Sequence, residues 1–402
     1  MFGERWQQIL GRQGDSVALW HPGGALSFHA LDAAARALPA QSCPRLGRYY
    51  LAQGDGAEVI TALLAGFLTQ RPVHVVEKDR TRRIPTCCPP EGTALVKQTV
   101  GSSGVRRCQF FTMAQTAADV DRLHGALGLG QCAVALAALS VAHSFGLTTT
   151  VLQTLLQGLP THWLMTPFPT CLQGALAVHE RVFLPGVPAM WRAWSISGLD
   201  LGSVSLAVSA GSPLTLDLEA RVRQTFGLKL HNLYGTSECG AISYDASETA
   251  RTDAADLGTL LPGIQATVDE TGLLWVQSDS VGLGYDSPLP GEVFGTSRHR
   301  TWDRIRLDQA SLSYCGCTGQ GINVASRKLS PGAIAEKIRT ATGLRHVRIH
   351  GQPSRDPERV EDVVAYVDLP AAALTQEFKS RACAALALWE VPRHWRVEPS
   401  PA

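Results

Sequence analysis

Apolar stretches of strand length alternate with longer stretches of helical period, and this order constrains the fold more than any other feature of the chain. Residues 94–100 (ALVKQTV) predict a strand, residues 113–129 predict an amphipathic helix, and residues 132–139 (CAVALAAL) predict the next buried strand. Residues 143–158 then predict a helix that ends at a glycine, and residues 204–213 predict a further strand that runs into a turn. Such an order favours a parallel sheet covered by helices, so the predicted fold class is α/β.

The pattern of apolar residues changes in the last third of the chain. Residues 257–307 contain short alternating stretches broken by glycine and proline, which predict a β-rich lobe. Beyond it, residues 330–343 predict a helix, and HVRIHG and VVAYVDL predict two strands. We therefore predict a large domain of parallel and mixed sheets flanked by helices at 1–307, which includes the lobe, and a small mobile α+β domain at 308–402.

Length and charge limit the classes of partner. A chain of 402 residues is too long for one ordinary core, and its net charge of +1 provides no overall field to attract nucleic acid or an anionic membrane. The N-terminal residues lack the apolar core of a signal peptide, and no apolar run is long enough to span a bilayer uninterrupted. We expect a soluble cytoplasmic protein with neither nucleic-acid nor membrane partners.

The ten cysteines are scattered along the chain and suggest reduced thiols rather than a disulfide framework. The closest pairs are Cys87 with Cys88 and Cys315 with Cys317, and neither has the repeated spacing of a zinc site. We expect no metal held by cysteine.

A first glycine-rich turn follows the strand at 94–100. It has the sequence TVGSSGVRRCQ, in which Ser102 and Ser103 offer hydroxyl groups and Arg106 and Arg107 offer cations. Backbone N–H groups at such a turn can approach an anion closely, and the side chains can add charge-assisted bonds. The glycine spacing of a Walker loop is absent, and taken alone the segment is equally well explained as a surface loop.

A second glycine-rich turn, LYGTSECGA, follows a short apolar run. Tyr234 can stack on a base, Thr236 can bond a phosphate, and Glu238 can hold Mg²⁺, which prefers oxygen ligands. A polar turn with a capping hydroxyl is the structural alternative.

These two turns, in this order, resemble the phosphate-loop motif (TSGSTG-x-PKG) and the YG-x-TE motif of the adenylate-forming superfamily, which includes acyl-CoA synthetases and other AMP-binding enzymes. The resemblance continues through VAHSFGL, FLPGVPAMWRAW, SAGSPL and the lobe that begins LGTLLPG. It covers nearly the whole chain, which therefore resembles a short member of this superfamily.

The resemblance implies a large domain that binds ATP and a carboxylic acid and makes an acyl-adenylate, and a small domain that turns to deliver a thiol. His143 is expected beside the acyl pocket as the catalytic residue, although a helix-capping or buried histidine is the alternative. Substrate binding would also involve Phe145, Gly146, Gly211 and Gly235. Nucleotide binding would involve Ser102, Ser103, Gly104, Arg107, Ala210, Gly211, Ser212, Tyr234, Gly235, Thr236 and Asp303, and Glu238 would hold magnesium.

The departures from the family pattern concern adenylation. Arg107 stands where lysine is typical, Trp302 replaces the glycine of the family's TGD, and Gly316 and Cys317 stand where the family has an Asp-Arg pair. The final segment, VPRHWRVEPSPA, resembles the approach to the family's catalytic lysine and stops before it. Loss of a charge that stabilises a transition state costs on the order of a hundredfold to a thousandfold in rate, so adenylation is expected to be impaired.

Three functions remain open from the sequence. The first is acyl or aryl transfer from acyl-CoA to another thiol, such as the phosphopantetheine of an acyl carrier protein, in secondary-metabolite or fatty-acyl metabolism. The second is an ATP- and Mg²⁺-dependent acid–thiol ligase, in which Arg393 or Arg396 replaces the lysine. The third is a non-catalytic relative. The segment that begins HSFGLTTT offers no charged side chain, so an aromatic or medium-length acyl group is expected.

Overall fold

The computed structural model describes residues 2–78, 82–100, 106–289, 291–317, 321–324, 327–329, 331–356 and 359–398. The predicted phosphate-loop residues Ser102, Ser103 and Gly104 lie outside the described residues. Within the described part, the chain divides into two compact units, Met1–Thr99 with Cys108–Cys317, and Val100–Arg107 with Thr318–Ala402.

The helices are α1 (Phe2–Gln13), α2 (Phe28–Ala37), α3 (Gly56–Thr69), α4 (Met113–Ala126), α5 (Ser144–Thr149), α6 (Val151–Gln157), α7 (Pro169–Leu176), α8 (Pro188–Ser195), α9 (Leu216–Phe226), α10 (Pro331–Thr342) and α11 (Gln376–Cys383). Single 3₁₀ turns lie at Leu129–Gln131 and Ala371–Ala373. The strands of the first half are β1 (Val17–His21), β2 (Gly24–Ser27), β3 (Gln41–Cys43), β4 (Gly47–Ala52), β5 (Val73–Val75), β6 (Thr93–Val100), β7 (Arg106–Thr112), β8 (Val134–Ala137), β9 (Thr161–Trp163), β10 (Val182–Gly186) and β11 (Val204–Ser209). Those of the second half are β12 (Leu230–Thr236), β13 (Gly240–Tyr244), β14 (Asp256–Leu260), β15 (Gln265–Val268), β16 (Leu273–Gln277), β17 (Gly284–Tyr285), β18 (Phe294–Gly295), β19 (Arg298–Asp308), β20 (Ser311–Cys317), β21 (Ile322–Val324), β22 (Arg327–Leu329), β23 (Val347–Pro353), β24 (Glu361–Val367) and β25 (His394–Val397).

Two sheets organise the first unit. Over the described residues, the larger has 14 strands, in the order β15–β16–β19–β20–β14–β13–β12–β11–β10–β8–β9–β1–β2, with β18 paired to β19. Its central strands, β9, β8, β10, β11 and β12, pair in parallel, and the pairing becomes antiparallel from β13 onward. The smaller sheet has the order β17–β7–β6–β5–β4–β3. Parallel strands connected by helices and joined to an antiparallel lobe confirm the predicted α/β class.

The second unit has its own apolar core. Strands β23, β24 and β25 form a sheet, and α10 and α11 pack with it around Ile334, Ile338 and Phe378. The helix predicted at 330–343 is confirmed as α10, and both predicted strands are present as β23 and β24. The predicted domain boundary between 307 and 308 stays a prediction. The pairing of β19 with β20 extends the first unit to Cys317.

One sequence prediction needs correction. The helix predicted at 143–158 is two helices, α5 and α6, because Thr150 between them has φ −126° and ψ −91°, outside the helical region. Gly158 ends α6 in the left-handed conformation, as predicted. Within the predicted β-rich lobe, β17 pairs with β7 and so belongs to the smaller sheet.

Helix α4 contains Asp119, a residue beside the candidate site that the sequence patterns did not indicate. It begins at a capping box: the Thr112 hydroxyl accepts the Gln115 N–H at 3.1 Å, and the Gln115 side chain accepts the Thr112 N–H at 2.8 Å. One turn further on, the helix buries Asp119 on its inner face. Among the described residues, no helix has the length and apolar character needed to cross a membrane.

Candidate active site

Tyr234 and Asp303, which lie 69 positions apart in the sequence, are in contact in the first unit. Tyr234 lies near the end of β12, and its hydroxyl donates a hydrogen bond of 2.8 Å to Asp303 Oδ2 on β19. Burial raises the pKa of the Tyr234 hydroxyl well above its ordinary value, and the Asp303 carboxylate raises it further. The hydroxyl therefore stays protonated and donates to the carboxylate at any physiological pH.

Glu238 lies in the turn between β12 and β13. The Tyr285 hydroxyl donates a hydrogen bond of 2.8 Å to Glu238 Oε1, and the Gly282 N–H donates one of 2.9 Å to the Glu238 carbonyl oxygen. The turn is closed by the Cys239 N–H, which donates to the Thr236 hydroxyl at 3.2 Å. The smaller sheet, through Tyr285 on β17, thus orients the carboxylate that the resemblance assigns to magnesium.

A single oriented carboxylate such as Glu238 suits magnesium. No group of three or more His, Cys, Asp or Glu side chains that could hold a metal ion occurs in the described part of the chain. Mg²⁺ is commonly bound through one or two carboxylates together with substrate phosphates and waters, so it does not need such a group. Glu238, half-buried and already oriented, fits that role.

The predicted adenine segment lies at the end of β11. Ala210 is buried in the same apolar cluster against which Tyr234 and Phe145 pack. Gly211 has φ +84°, a conformation that favours glycine, and Ser212 is half-buried in the same turn. The structure therefore brings one predicted acyl-pocket residue together with two predicted nucleotide residues.

Close packing explains why glycine occupies positions 146 and 235, which the resemblance assigns to substrate binding. A Cβ at Gly146 would lie 2.5 Å from the Ser140 carbonyl oxygen, and a Cβ at Gly235 would lie 2.4 Å from the Gly240 carbonyl oxygen. Neither position can hold a larger residue without movement of the backbone. His143 is exposed and is the residue before α5, where it makes no side-chain capping bond. His143 therefore occupies the N-cap position without a side-chain cap, and the alternative of a buried histidine is wrong.

Three of the residues that depart from the family pattern lie beside Asp303. Cys317, at the position of the family's arginine, is directly opposite Asp303 in the pairing of β19 with β20. Gly316 is opposite Arg304 and has φ +126°. Trp302 is half-buried, and the Arg300 guanidinium lies 6.0 Å from its ring.

The remaining candidate cations lie in the second unit. Arg107 on β7 is buried, with 4% of its surface exposed. Arg393 lies 3.5 Å from Asp362 Oδ1, and Arg396 donates to the Tyr366 hydroxyl at 3.0 Å. Both arginines near the C-terminus thus have partners within their own unit.

Sequence reasoning missed two buried charges beside α5. Lys97 on β6 and Asp119 on α4 are 5% and 7% exposed, and both line a small cavity that Thr148 of α5 also lines. The segment at 143–158 itself has no Asp, Glu, Lys or Arg, and the two charges beside it come from distant parts of the chain. The only signal in the sequence is a lysine inside an apolar strand pattern.

Comparison with known proteins identifies the family. The AMP-binding enzyme family matches residues 51–286, more than half of the chain. A naringenin synthase of Pestalotiopsis fici is 30% identical over 37% of the chain, and an acyl-CoA ligase of Alternaria alternata is 31% identical over 29%. The chain spans only 6% and 22% of the lengths of these two relatives.

Solved structures of similar fold match over almost the entire chain. An o-succinylbenzoate CoA synthetase of Bacillus subtilis superposes with a TM-score of 0.81 at 15% identity, covering 99% of this chain and 95% of its own. An amide bond synthetase of Marinactinospora thermotolerans gives 0.78 at 18% identity, covering 99% and 96%. A malonyl-CoA ligase with methylmalonyl-CoA and AMP bound gives 0.76 at 19% identity, covering 97% of each chain. Together with the family match and the two motifs in the family's sequence order, this likeness of fold shows that the chain belongs to the AMP-binding, adenylate-forming enzyme family.

Proposed function

We propose that the protein is an ATP-dependent acid–thiol ligase, which activates a carboxylic acid as an acyl-adenylate and passes the acyl group to a thiol. The observation that carries the proposal is the hydrogen bond between Tyr234 and Asp303, two retained nucleotide-side residues that orient each other. An enzyme that only moved acyl groups between thiols would not need this pair. The sequence leaves both the ligase and acyl transfer open, and the family match together with the Alternaria acyl-CoA ligase favours the ligase.

The reaction consists of two steps, adenylation and transfer to the thiol. In the first, an oxygen of the substrate carboxylate attacks the α-phosphorus of ATP, the bond to the β-phosphate oxygen breaks, and pyrophosphate leaves. In the second, the sulfur of a thiol attacks the acyl carbon, its proton passes to solvent, and AMP leaves. Coenzyme A is the first thiol to test, and a carrier-protein phosphopantetheine is the second.

Different side chains of this chain would bind the adenine base, the ribose and the magnesium ion. Tyr234 presents a ring beside the apolar cluster that contains Ala210, a surface suited to the adenine base. Asp303 can accept hydrogen bonds from ribose hydroxyls while it keeps its bond to Tyr234. Glu238 would hold Mg²⁺, which when bound offsets the negative charge of the phosphates.

The acyl group would lie next to α5. Phe145 is half-buried in the same apolar cluster, and Gly146 allows the helix to approach the Ser140 carbonyl closely. Exposed His143, immediately before the helix, can reach a ligand that lies outside the apolar cluster. An apolar aromatic or medium-length acyl group fits this lining. A cytoplasmic location, with its supply of ATP and coenzyme A, belongs to the same proposal.

Acyl transfer without ATP is the second candidate. Gly316 and Cys317 favour it, because they replace the Asp-Arg pair that the family resemblance predicts beside the ribose aspartate. Loss of that arginine would weaken nucleotide binding without affecting chemistry on an existing thioester.

One experiment separates the two candidates. The protein is incubated with [³²P]pyrophosphate, ATP and a panel of aromatic and aliphatic acids, with and without Mg²⁺, and formation of labelled ATP is measured. Parallel reactions contain the matching acyl-CoAs and a carrier protein without ATP. The ligase proposal expects acid- and Mg²⁺-dependent exchange. Acyl transfer from acyl-CoA without ATP, together with no exchange for any acid, would refute it.

A further inference from the structure

Lys97 is a buried cation in the strand that leads into the phosphate-loop motif. Its ammonium group donates a hydrogen bond of 3.2 Å to the Ser144 hydroxyl, at the first residue of α5, and lies 4.3 Å from the centre of the Phe111 ring. Burial lowers the pKa of Lys97 to about 8, while the charges of Asp119 and Glu238 act in the opposite direction. The ammonium form therefore predominates at neutral pH.

Asp119 provides the opposite charge on α4. Its Oδ1 accepts the N–H of Ala241 at 2.9 Å, and a Cβ placed on Gly240 would lie 2.4 Å from its carboxyl carbon. The carboxylate thus directly abuts the segment that follows Glu238. Burial raises the pKa of Asp119, while the Ala241 N–H, the Lys97 charge and the Thr148 hydroxyl of α5 act in the opposite direction.

These contacts connect two parts of the candidate active site. Lys97 contacts the start of α5 through Ser144, and Asp119 contacts its second half through Thr148. On the other side, Asp119 holds Ala241, three residues beyond Glu238. We propose that Lys97 and Asp119 form a positioning pair that fixes the acyl-pocket helix and the magnesium-binding turn relative to each other; this inference rests on the ligase function proposed above.

The pair acts through its neighbours rather than on substrate. The cavity that both residues line has a volume of about 10 Å³, which is near the minimum for one water molecule. A carboxylate or phosphate of a substrate is too large to enter it. Lys97 and Asp119 are therefore positioning residues and not catalytic ones.

A buried pair of charges is a costly way to pack two elements together. Replacing both members with apolar or neutral side chains of similar volume is often neutral or stabilising, whereas removing one member leaves an uncompensated buried charge. Stability alone would therefore not require Lys97 and Asp119. Their geometric effect on α5 and on the Glu238 turn gives the pair a function.

The test uses the double variant Lys97→Met/Asp119→Asn, which removes both charges at similar volume. The single variant Lys97→Met is expected to lower the melting temperature, and the double variant to recover most of that loss. In acid-dependent pyrophosphate exchange, the double variant is expected to show at least about a tenfold rise in KM for the acid and a similar rise in the Mg²⁺ concentration for half-maximal rate. Ser144→Ala should raise only the KM for the acid, because it breaks the contact with α5 alone.

Lys229→Met provides a matched control. Lys229 is 7% exposed, pairs with Glu219 and Asp245, and lies just before β12, at the opposite end of that strand from the Glu238 turn. It is expected to lose stability and keep the wild-type KM values when assayed well below its melting temperature. A double variant with wild-type KM values and Mg²⁺ dependence would overturn the positioning role while the ligase function stands.

A different result would show that the ligase proposal, rather than the positioning role, has failed. If the wild-type protein shows no acid-dependent exchange, the ligase proposal is refuted, and calorimetric binding of ATP with Mg²⁺ to the wild-type protein and to the double variant replaces the kinetic comparison. Weaker binding by the double variant would support the pair. Equal affinities, or no binding to either protein, would overturn it.

Discussion

Tyr234→Phe tests the centre of the proposed nucleotide site with the loss of a single oxygen atom. The lost hydrogen bond is 2.8 Å long and its acceptor, Asp303, is 8% exposed, so water cannot easily replace the donor. Hydrogen bonds to charged groups contribute about 1.5–3 kcal/mol. We expect the free energy of unfolding to fall by about that amount. Because Asp303 also loses its orientation, the KM for ATP should rise by about 10- to 100-fold.

The assay is acid-dependent pyrophosphate exchange at several ATP concentrations, combined with urea unfolding. Since burial and Asp303 raise the pKa of the Tyr234 hydroxyl, the effect should be the same from about pH 6 to about pH 9. Tyr244→Phe is the matched control. Tyr244 lies on neighbouring β13 and is 6% exposed, and its hydroxyl bonds to no residue in the described part of the chain. An unchanged KM for ATP in Tyr234→Phe, or an equal change in Tyr244→Phe, would refute the reasoning.

Three further predictions concern single positions. Glu238→Gln should lower the rate of exchange on the order of a hundredfold, with partial recovery at high Mg²⁺; a normal Mg²⁺ dependence would contradict its assignment. His74 is fully buried, and burial lowers its pKa to about 4. The unfolded chain thus binds the proton more readily between about pH 4 and about 6.5, so stability falls by about 3 kcal/mol as the pH drops through this window. His74→Leu should remove that part of the acid sensitivity, whereas parallel urea-unfolding profiles would contradict it. Gly240→Ala should destabilise more than Gly272→Ala, although their φ values of +75° and +82° are similar, because only the former meets the Asp119 carboxylate; equal losses in urea unfolding would count against that contact.

Elements whose residues follow one period were predictable from the sequence. The apolar run at 94–100 and the amphipathic pattern at 113–129 correspond to β6 and to α4, although α4 ends three residues early at Ala126. The strand is an apolar run that is buried at Leu95 and Val96, and the helix buries one face, which includes Val120 and Leu123. The order of such elements was therefore enough for the α/β class.

Elements that depend on partners far along the chain were not predictable. Thr150 breaks the helix predicted at 143–158 although no glycine or proline marks the position. Gly284 and Tyr285 form a two-residue strand whose partners, Gln109 and Phe110, precede it by more than 170 positions. Local sequence patterns contain no information about either contact.

Site residues that belong to a family motif were predictable from the sequence. Site residues outside any motif were not. The resemblance named both Tyr234 and Asp303, and the structure adds the bond between them. Tyr285, which orients Glu238, has no motif of its own. Lys97 and Asp119 look like an interrupted strand and an ordinary helix acid, since their proximity arises only when β6 and α4 pack around α5.

Three departures from the family pattern, Trp302, Gly316 and Cys317, lie together beside Asp303, and this placement determines their expected effect on the kinetics. Trp302 precedes Asp303, and Cys317 lies opposite Asp303 in the β19–β20 pairing. On the other side, Tyr234 still holds the Asp303 carboxylate, and Tyr285 still holds Glu238. Loss of a ribose-side cation removes binding energy that the ground state and the transition state share, which raises KM and leaves kcat unchanged. The ribose-side changes are therefore expected to weaken the affinity for ATP more than the chemical step.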